Sequence, residues 1–363
     1  MGQGGQGLGR EGRLTVLPLS WFPGWRRTAL ALAVVLGLTS AAAAGWTHFD
    51  SWQRETIFRI DPEQLRWYSD APRGTEVFDL ELSNGDRVRA WYLPAASVPT
   101  AGDPAMLIKR SPAWRPAVAA GDPAAGIAAA AAPAVRPPTV LYLHGARWNL
   151  HNSVFRLRRW HELGFNMLAI DYRGFGESTP MLPSEDSAFE DVLAAFEELR
   201  RREPDPSRRF IYGHSLDGAL ALRLGAAEQT DPVELAGIVV ESTFTSIAEL
   251  AAQMRWGWLP GLRFLITQPF DSKRHIAAVD EPILLIHGSA DRLVPHEMSE
   301  RLHDAASAVR GGVKSLLIVD GASHSGVSRA GGERYERAVG EFVRAASAEA
   351  AGALAPAGRR AGG

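Results

Sequence analysis

Three side chains of the types that perform nucleophilic catalysis each follow a short apolar run in this sequence. Ser215 lies in FIYGHSLDGAL, Asp291 in HGSADRLVP and His324 in VDGASHSG. A serine hydroxyl is a weak nucleophile near neutral pH, so it needs an imidazole to accept its proton and a carboxylate to orient that imidazole. The order serine, acid and histidine along the chain therefore predicts a catalytic triad.

The apolar runs before these residues predict the elements that position them. Six short runs are rich in β-forming residues: Val140 to Leu143, Met167 to Ile170, Phe210 to Tyr212, Ala236 to Val240, Ile283 to Ile286 and Leu316 to Val319. Helical patterns lie between or after them: Ser187 to Arg202, Asp217 to Glu228, His296 to Val309 and Glu333 to Ala346. This alternation predicts an α/β fold, a mostly parallel sheet with helices on both faces. Because ligands bind beyond the carboxyl ends of parallel strands, Ser215, Asp291 and His324 are expected at one edge of the sheet.

A hairpin and an insertion are predicted before this sheet. Glu76 to Leu82 and Arg87 to Leu93 alternate apolar and polar residues on either side of Asn84-Gly85, a strong hairpin signal. Residues 95–138 are rich in alanine and proline and have no period that would bury a face. They predict a mobile insertion, and the alternative is a long loop that covers the active site.

The N-terminal region has the composition of a membrane segment. Residues 28–46 contain no charged side chain and, as a helix, would span about 28 Å, close to the thickness of a bilayer core. Arginines at positions 10, 13, 26 and 27 favour a cytoplasmic, disordered segment over 1–27 and a catalytic domain on the extracytoplasmic side. The alternative is a signal peptide cleaved near the alanines at 41–44, followed by export. A buried core helix is a third interpretation.

The composition excludes several classes of function. The 363 residues are 46% hydrophobic, enough for a large core, and the formal net charge of -2 gives no basic surface for nucleic acid. Because there is no cysteine, disulfides and a thiolate nucleophile are excluded. The histidines and glutamates around HEMSE (residues 296–300) do not have the spacing of a metal-binding helix, so no metal site is predicted there. Residues 348–363 are predicted to be a disordered tail.

Six motifs together resemble one known family. They are YLHGARWNLHN (142–152), LAIDYRGFGES (168–178), IYGHSLDGALA (211–221), ESTFTS (241–246), LLIHGSADRLVP (284–295) and GASHSG (321–326). From Trp67 to Val343 the chain resembles the α/β-hydrolase-fold serine hydrolases. Within them it is similar to the N-terminally membrane-anchored, small-cap group, which includes lipase-like and protein-depalmitoylating members. The resemblance implies a hydrolase domain over 67–347, with a small helical cap over 243–281.

The resemblance also implies the role of each site residue. Ser215 would be the nucleophile, His324 the general base and acid, and Asp291 the carboxylate that orients it. The backbone N–H groups of Ala146 and Leu216 would form the oxyanion hole. Substrates of the family are esters, and no cofactor is implied.

Each assignment has a structural alternative. Ser215 could cap the following helix, Asp291 could be a turn residue, and Glu241 at the preceding strand end is a substitute acid. Four residues near the motifs or in the predicted cap are candidates for the substrate pocket: His144, His214, Trp256 and Trp258. The histidines could instead shape turns or contact backbone, and the tryptophans could simply cover the sheet.

Asp217 departs from the family pattern, which has glycine at this position. A carboxylate in the first turn of a helix is favoured by the helix dipole, but its charge at roughly 6 Å from an oxyanion would cost about 2.8 kcal/mol at an effective dielectric constant of about 20. We therefore expect the side chain to face away from the hole, capping backbone N–H groups or pairing with an arginine. On that basis Asp217→Gly is expected to keep or raise turnover.

These observations lead to one main hypothesis and two alternatives. The main hypothesis is a serine hydrolase that cleaves carboxylic esters or thioesters through an acyl-enzyme, on small-molecule or lipid-like acyl substrates of medium chain length. A catalytically silent binding or scaffold protein on the same fold is the alternative that Asp217 and the insertion suggest. A peptidase is the weaker alternative, because the sequence offers no large domain that would gate a peptide substrate.

Overall fold

The computed structural model describes residues 23–60, 68–95, 136–227, 234–253 and 257–355. The chain divides into two compact units, Met1–Trp52 and Gln53–Gly363. Most of the predicted insertion over 95–138 lies outside the described residues, as do Trp256, residues 1–22 of the predicted N-terminal segment and residues 356–363 of the predicted tail.

The second unit is built around a sheet of eight strands in the order β1-β2-β4-β3-β5-β6-β7-β8. The strands are β1 Glu76–Glu81, β2 Arg87–Leu93, β3 Thr139–Leu143, β4 Asn166–Ile170, β5 Arg209–His214, β6 Gly237–Glu241, β7 Ile283–Gly288 and β8 Lys314–Val319. Strand β2 runs antiparallel to β1 and β4, and all other neighbours are parallel. All six predicted apolar runs and both predicted hairpin strands are strands of this sheet.

Helices cover both faces of the sheet, which confirms the predicted fold class. In the second unit they are α2 Leu150–Glu162, α3 Glu185–Arg202, α4 Leu216–Ala227, α5 Ile247–Gln253, α6 Ser272–Ile276, α7 Glu297–Ala305 and α8 Val327–Leu354. The helix α1 Pro23–Ile57 lies mostly in the first unit. Strand β3 shows how the two faces arise: Leu141 and Leu143 join one hydrophobic cluster, and Val140 and Tyr142 join the other. Because successive side chains of a strand point to opposite faces, an all-apolar run is what a sheet covered on both sides requires.

The turn between β1 and β2 forms as its sequence predicts. Gly85 has φ of +85°, a conformation that glycine adopts without steric cost, and its N–H donates to the Leu82 carbonyl. The side chain of Asn84 accepts a hydrogen bond from the backbone N–H of Asp86 at 3.0 Å. The turn fixes the register in which Glu76 pairs with Tyr92 and Glu81 with Arg87.

The second unit begins at Gln53, so the predicted domain start at 67 is too late. Phe58 is only 2% exposed and packs in the main core with its ring 5.9 Å from that of Phe270. Gln53 is also buried: its side chain donates to the Leu265 carbonyl at 2.8 Å and accepts from the Thr267 N–H at 3.0 Å. The sequence did not reveal this because the partners lie more than two hundred positions away.

The last helix is longer than predicted and the helix before it is shorter. Helix α8 ends at Leu354, which places the first residues of the predicted tail (348–354) in regular structure. Ala346 and Ala350 lie four positions apart on one helix face and are buried in the second cluster, so packing extends the helix beyond 347. Helix α7 ends at Ala305, before the predicted end at 309.

Between β6 and β7 the chain forms short elements rather than a long helix. Helices α5 and α6 flank a single 3₁₀ turn, Leu262–Phe264. In this cap the side chains of Trp258 and Phe264 are 74% and 73% exposed. The cap therefore presents large apolar side chains to its surroundings instead of burying them against the sheet.

Helix α1 accounts for the described part of the first unit. Within its segment Leu32–Ile57, an 18-residue window has a mean hydropathy of 1.4 and contains no buried residue, so by length and composition the helix is able to cross a membrane. A signal sequence near an N-terminus has the same properties. The first unit thus agrees with both the predicted anchor and the predicted signal peptide.

We expect Phe58→Ala to destabilise the protein by about 3–5 kcal/mol, because it removes an aromatic ring from the core and leaves a cavity. Val77→Ala is the control, since Val77 is 46% exposed on the outer strand and its truncation should cost less than about 1 kcal/mol. Denaturant unfolding followed by fluorescence measures both. Equal midpoints for the two variants would place residue 58 outside the folded unit.

Candidate active site

Ser215 lies on a sharp turn between the end of β5 and the start of α4. Its φ is +58°, a left-handed conformation that costs a residue with a side chain about 1–2 kcal/mol. Hydrogen bonds hold the turn: the Ser215 N–H donates to the Glu241 carbonyl at 2.9 Å, and the Thr243 hydroxyl donates to the Ser215 carbonyl at 2.8 Å. The strained backbone lifts the hydroxyl out of the sheet at the carboxyl end of β5.

Glycines on either side of Ser215 permit two close approaches. A Cβ atom at position 213 would lie 2.3 Å from the backbone oxygen of Asp217, and one at position 218 would lie 2.6 Å from the side chain of Thr243. The first contact would separate α4 from β5, and the second would separate α4 from the loop that follows β6. The sequence therefore needs glycine at 213 and 218 to make this turn, whereas position 217 accepts a side chain.

The structure brings Ser215, His324 and Asp291 together. His324 Nε2 lies 3.1 Å from Ser215 Oγ, and His324 Nδ1 lies 2.7 Å from Asp291 Oδ2. His324 is in the loop after β8, and Asp291 is in the loop after β7, so three separate strand ends supply the three groups. In this geometry the imidazole can accept the serine proton while the carboxylate fixes its tautomer.

The Asp291 carboxylate is held in its ionised form. Burial by itself would raise its pKa, but hydrogen bonds from His287 and His324 lower that pKa well below the usual range. Its Oδ1 accepts the backbone N–H groups of Leu293 at 2.8 Å and Val294 at 3.0 Å. These donors fix both oxygens, so the carboxylate has little freedom to turn away from His324.

His287 is a site residue to which the sequence patterns assigned no catalytic role. Its Nε2 lies 3.2 Å from Asp291 Oδ2 and 3.0 Å from the Val294 carbonyl, and both partners are acceptors. Nε2 therefore carries the proton, and Nδ1 accepts from the Ser299 hydroxyl at 2.6 Å. The signal in the sequence was the histidine four positions before the acid in HGSAD.

The loop after β3 carries the predicted oxyanion amide of Ala146. Gly145 has φ of +98°, and His144 Nδ1 donates to the Gly145 carbonyl at 2.6 Å. The Ala146 carbonyl accepts from the backbone N–H of Arg59 at 3.0 Å, a contact that nothing in the sequence indicated. Across the described residues, the N–H groups of Ala146 and Leu216 have no protein acceptor. Both amides are therefore available to a negative oxygen.

His144 and His214, two of the four candidates for the substrate pocket, contact the loops around the site. Both rings are buried. Burial lowers the pKa of His144 to about 4, and it lowers the pKa of His214 well below the usual value, with the charge of Arg156 contributing. Both imidazoles are therefore neutral, and their role is to support the loops around the site.

His214 links the nucleophile turn to the loop of the histidine. Its Nε2 lies 3.0 Å from the His324 carbonyl and 3.1 Å from Arg156 Nη2, and its ring packs edge-on against that of His324 at 5.0 Å. Because a carbonyl only accepts and a guanidinium only donates, the neutral Nε2 can serve one of them at a time. The buried Arg156 also stacks on Phe155 at 4.7 Å. No pattern in the sequence indicated a role for this arginine.

The remaining candidates take no part in the hydrogen-bonded chain from Ser215 to Asp291. Glu241, the substitute acid, is buried and accepts from the Tyr335 hydroxyl at 3.0 Å, while His324 Nδ1 faces Asp291. Trp258 is largely exposed in the cap. Over the described ranges, no group of three or more histidine or acidic side chains has a metal-binding arrangement. His296, from the dismissed metal motif, lies beside Glu297 and Glu300.

Asp217 faces the loop after β3 that contains Gly145 and Ala146, which we call the oxyanion loop. The sequence left two arrangements open for this side chain, capping backbone N–H groups or pairing with an arginine. The carboxyl is buried, and Oδ2 accepts the backbone N–H of Gly145. Burial raises the pKa of Asp217 to about 7, although the Gly145 amide and the nearby Tyr172 hydroxyl act in the opposite direction. It therefore caps a backbone N–H group, as expected, and it has no arginine partner in the described part of the chain.

Comparison with known proteins identifies the family. Residues 136–270 match the family model described as serine aminopeptidase, S33. The chain is 32% identical to the Mycobacterium tuberculosis protein MT2364 over 81% of its own length and 88% of that protein. The solved Pyrococcus furiosus esterase Pf2001 superposes with a TM-score of 0.56 at 17% identity, covering 79% of this chain and 97% of the esterase. The chain belongs to the α/β-hydrolase family.

Membership makes the protein a hydrolase with the mostly parallel sheet described above. It is also 29% identical to the zebrafish (Danio rerio) lysophosphatidylserine lipase ABHD12, over 47% of each chain. That match covers less than half of either protein. Membership in the small-cap, membrane-anchored group of this family stays a prediction from the sequence.

Proposed function

We propose that this hydrolase cleaves carboxylic ester or thioester bonds through an acyl-enzyme on Ser215. The observation that carries the proposal is the hydrogen-bonded chain from Ser215 Oγ through His324 to Asp291, with contacts of 3.1 Å and 2.7 Å. A serine that merely capped α4 would need neither this relay nor a left-handed backbone. The same observation argues against the silent scaffold, which has no use for an aligned triad.

The reaction follows from the positions of the groups. Ser215 Oγ attacks the substrate carbonyl while His324 Nε2 takes its proton, and the ionised Asp291 stabilises the resulting imidazolium. The tetrahedral oxyanion receives hydrogen bonds from the amides of Ala146 and Leu216. His324 then protonates the leaving alcohol or thiol, which departs and leaves the acyl group on Ser215. Water activated by His324 attacks the ester, and the acid product leaves with Ser215 restored.

A lipid-like acyl substrate is supported by the surface of the cap. Trp258 and Phe264 are exposed on the cap, and Leu293 is exposed two positions after Asp291. Exposed large apolar side chains of this kind mark contact with apolar ligands or membranes. The name of the zebrafish relative, a lysophospholipid lipase, agrees with this substrate class.

We further propose that α1 anchors the protein in a membrane with the hydrolase unit on the extracytoplasmic side. Arginines precede the apolar segment, which favours this orientation. Gln53 and Phe58, at and just beyond the end of α1, are buried in the second unit, so a span followed directly by the folded unit fits the order along the chain. Cleavage near 41–44 would leave Gln53 and Phe58 in the exported protein and is the alternative.

Covalent labelling tests the reaction class. A fluorophosphonate probe should label the wild-type protein and leave Ser215→Ala unlabelled, and Asp291→Asn should label at least about a hundredfold more slowly because His324 loses its orienting carboxylate. An ester, thioester and aminoacyl-anilide panel then separates esterase from peptidase. An unlabelled, folded wild type would favour the scaffold, and turnover of anilides alone would favour the peptidase.

Chain-length preference tests the role of the cap. We expect p-nitrophenyl esters of medium chain length to give the highest kcat/KM, and the double variant Trp258→Ser with Phe264→Ser to lose this preference while hydrolysing the acetate ester normally. Val77→Ser, which changes an exposed apolar residue of β1, serves as the control. Best hydrolysis of acetate by the wild type would contradict a lipid-like substrate.

Membrane retention tests the anchor. The full-length protein with a C-terminal tag should stay in the membrane pellet after extraction at alkaline pH, and its intact mass should include residues 28–46. A soluble protein whose N-terminus lies close to position 45 would instead establish a cleaved signal peptide.

A further inference from the structure

The backbone of the oxyanion loop is held at three successive points. Gly145 donates its N–H to Asp217 Oδ2, and the Gly145 carbonyl accepts from His144 Nδ1. The Ala146 carbonyl accepts from the N–H of Arg59. Only the Ala146 N–H, between these points, has no acceptor among the described residues. The two peptide groups that flank this amide are therefore fixed, and with them its direction.

We propose that Asp217 is a positioning residue for the oxyanion hole, acting through its hydrogen bond to the Gly145 amide. The inference rests on the proposed function, because it needs a hole in which Ala146 takes part. Asp217 does not itself touch the reacting atoms. Its carboxyl oxygen fixes the His144–Gly145 peptide group, which adjoins the peptide group that carries the Ala146 N–H. The Ala146 N–H is therefore already aimed when negative charge develops on the substrate oxygen.

The burial of the loop explains why a side-chain acceptor is needed at position 217. Gly145 is buried and has a positive φ, and among the described residues its N–H donates to no backbone carbonyl. A glycine at position 217 would leave this amide buried without an acceptor, an unfavourable arrangement that the loop would relieve by rotating. We therefore expect Asp217→Gly to slow turnover, which reverses the expectation from the sequence alone. Rotation of the Gly145 peptide would move the Ala146 amide out of position. The departure from the family pattern thus supplies a hydrogen bond that the loop of this chain uses.

For the proposed positioning of the loop, the hydrogen-bond acceptor of the Asp217 side chain matters more than its negative charge. Among the described residues, the titratable groups that interact with the carboxyl are the hydroxyls of Tyr172 and Tyr142, and neither of them is a cation. Asp217 Oδ1 and the Tyr172 hydroxyl are both buried and neither makes a well-aligned hydrogen bond within the described residues. Burial raises the pKa of Asp217 to about 7, so near neutral pH the side chain is part acid and part carboxylate. The ionised form still accepts from Gly145, but its charge opposes the oxyanion nearby.

Two substitutions separate the acceptor from the charge. Asp217→Asn keeps an oxygen that accepts from Gly145 and has no charge, whereas Asp217→Ala removes both. Asp186→Ala is the matched control, because Asp186 also lies in the first turn of a helix and its side chain is 83% exposed. The rate constant of fluorophosphonate labelling at Ser215 is measured for each full-length variant from pH 6 to pH 8.5, together with kcat and KM for one ester.

The expected pattern has two parts. Asp217→Ala should label about 10- to 100-fold more slowly than the wild type, with kcat reduced and KM nearly unchanged, because only transition-state stabilisation is lost. Asp217→Asn should restore most of the rate at pH 6, and the ratio of its rate to the wild-type rate should rise as the pH passes 7. Asp186→Ala should label as the wild type does. Thermal melts identify any variant that fails to fold. If Asp217→Ala is one of them, the pH-dependent comparison of the isosteric Asp217→Asn with the wild type tests the proposal.

Other outcomes overturn the inference without touching the proposed function. If the wild type labels at Ser215 and folded Asp217→Ala labels equally fast, Asp217 does not position the loop. If the asparagine and alanine variants are equally slow at every pH, the charge and not the acceptor is required, which also contradicts the proposal. If the folded wild type does not label at all, the proposed serine chemistry fails first, and the two failures are distinguishable.

Discussion

The left-handed backbone of Ser215 is the constraint on which the rest of the site depends. A serine in this conformation is unfavourable by itself, and it persists because β5 and α4 meet too closely for any relaxed path between them. Gly213 permits this approach, Gly218 makes room for Thr243, and hydrogen bonds to Glu241 and from Thr243 hold the turn. The turn delivers the hydroxyl to the sheet edge, where His324 can reach it, and it starts α4 with an amide, that of Leu216, which has no acceptor among the described residues. One local strain thus supports both the proposed nucleophile and half of the proposed oxyanion hole.

Around this turn, buried polar groups are oriented before any substrate arrives. Asp291 has hydrogen-bond partners on both oxygens, and His287 has partners on both ring nitrogens. Burial keeps His144 and His214 neutral, so each can support a loop carbonyl without adding a charge. In a water-poor site, groups that are already oriented stabilise developing charge without the cost of reorganisation. The large number of buried polar contacts here is consistent with that requirement.

The segment after the apolar helix is part of the same arrangement. Phe58 fills the core between other aromatic rings, and the next residue, Arg59, donates its backbone N–H to Ala146. The segment that follows α1 therefore forms a direct backbone hydrogen bond with the oxyanion loop. Removing residues up to 67, as the sequence-based domain start suggested, would take away a core side chain and one support of the loop.

The sequence by itself determined the fold class, the eight strands, and the order and strand ends of Ser215, Asp291 and His324, because these follow from local periodicity and from glycine and proline placement. Only the tertiary structure decided that His287 orients Asp291, that Arg156 lies behind His214, and that Asp217 faces the loop of Gly145. It also moved the domain start to Gln53 and extended α8 past 347. The physical reason is that a hydrogen bond or a buried contact depends on distance in space. Asp217 and Gly145 are 72 positions apart in the chain, and no local pattern records which buried donor will meet which acceptor.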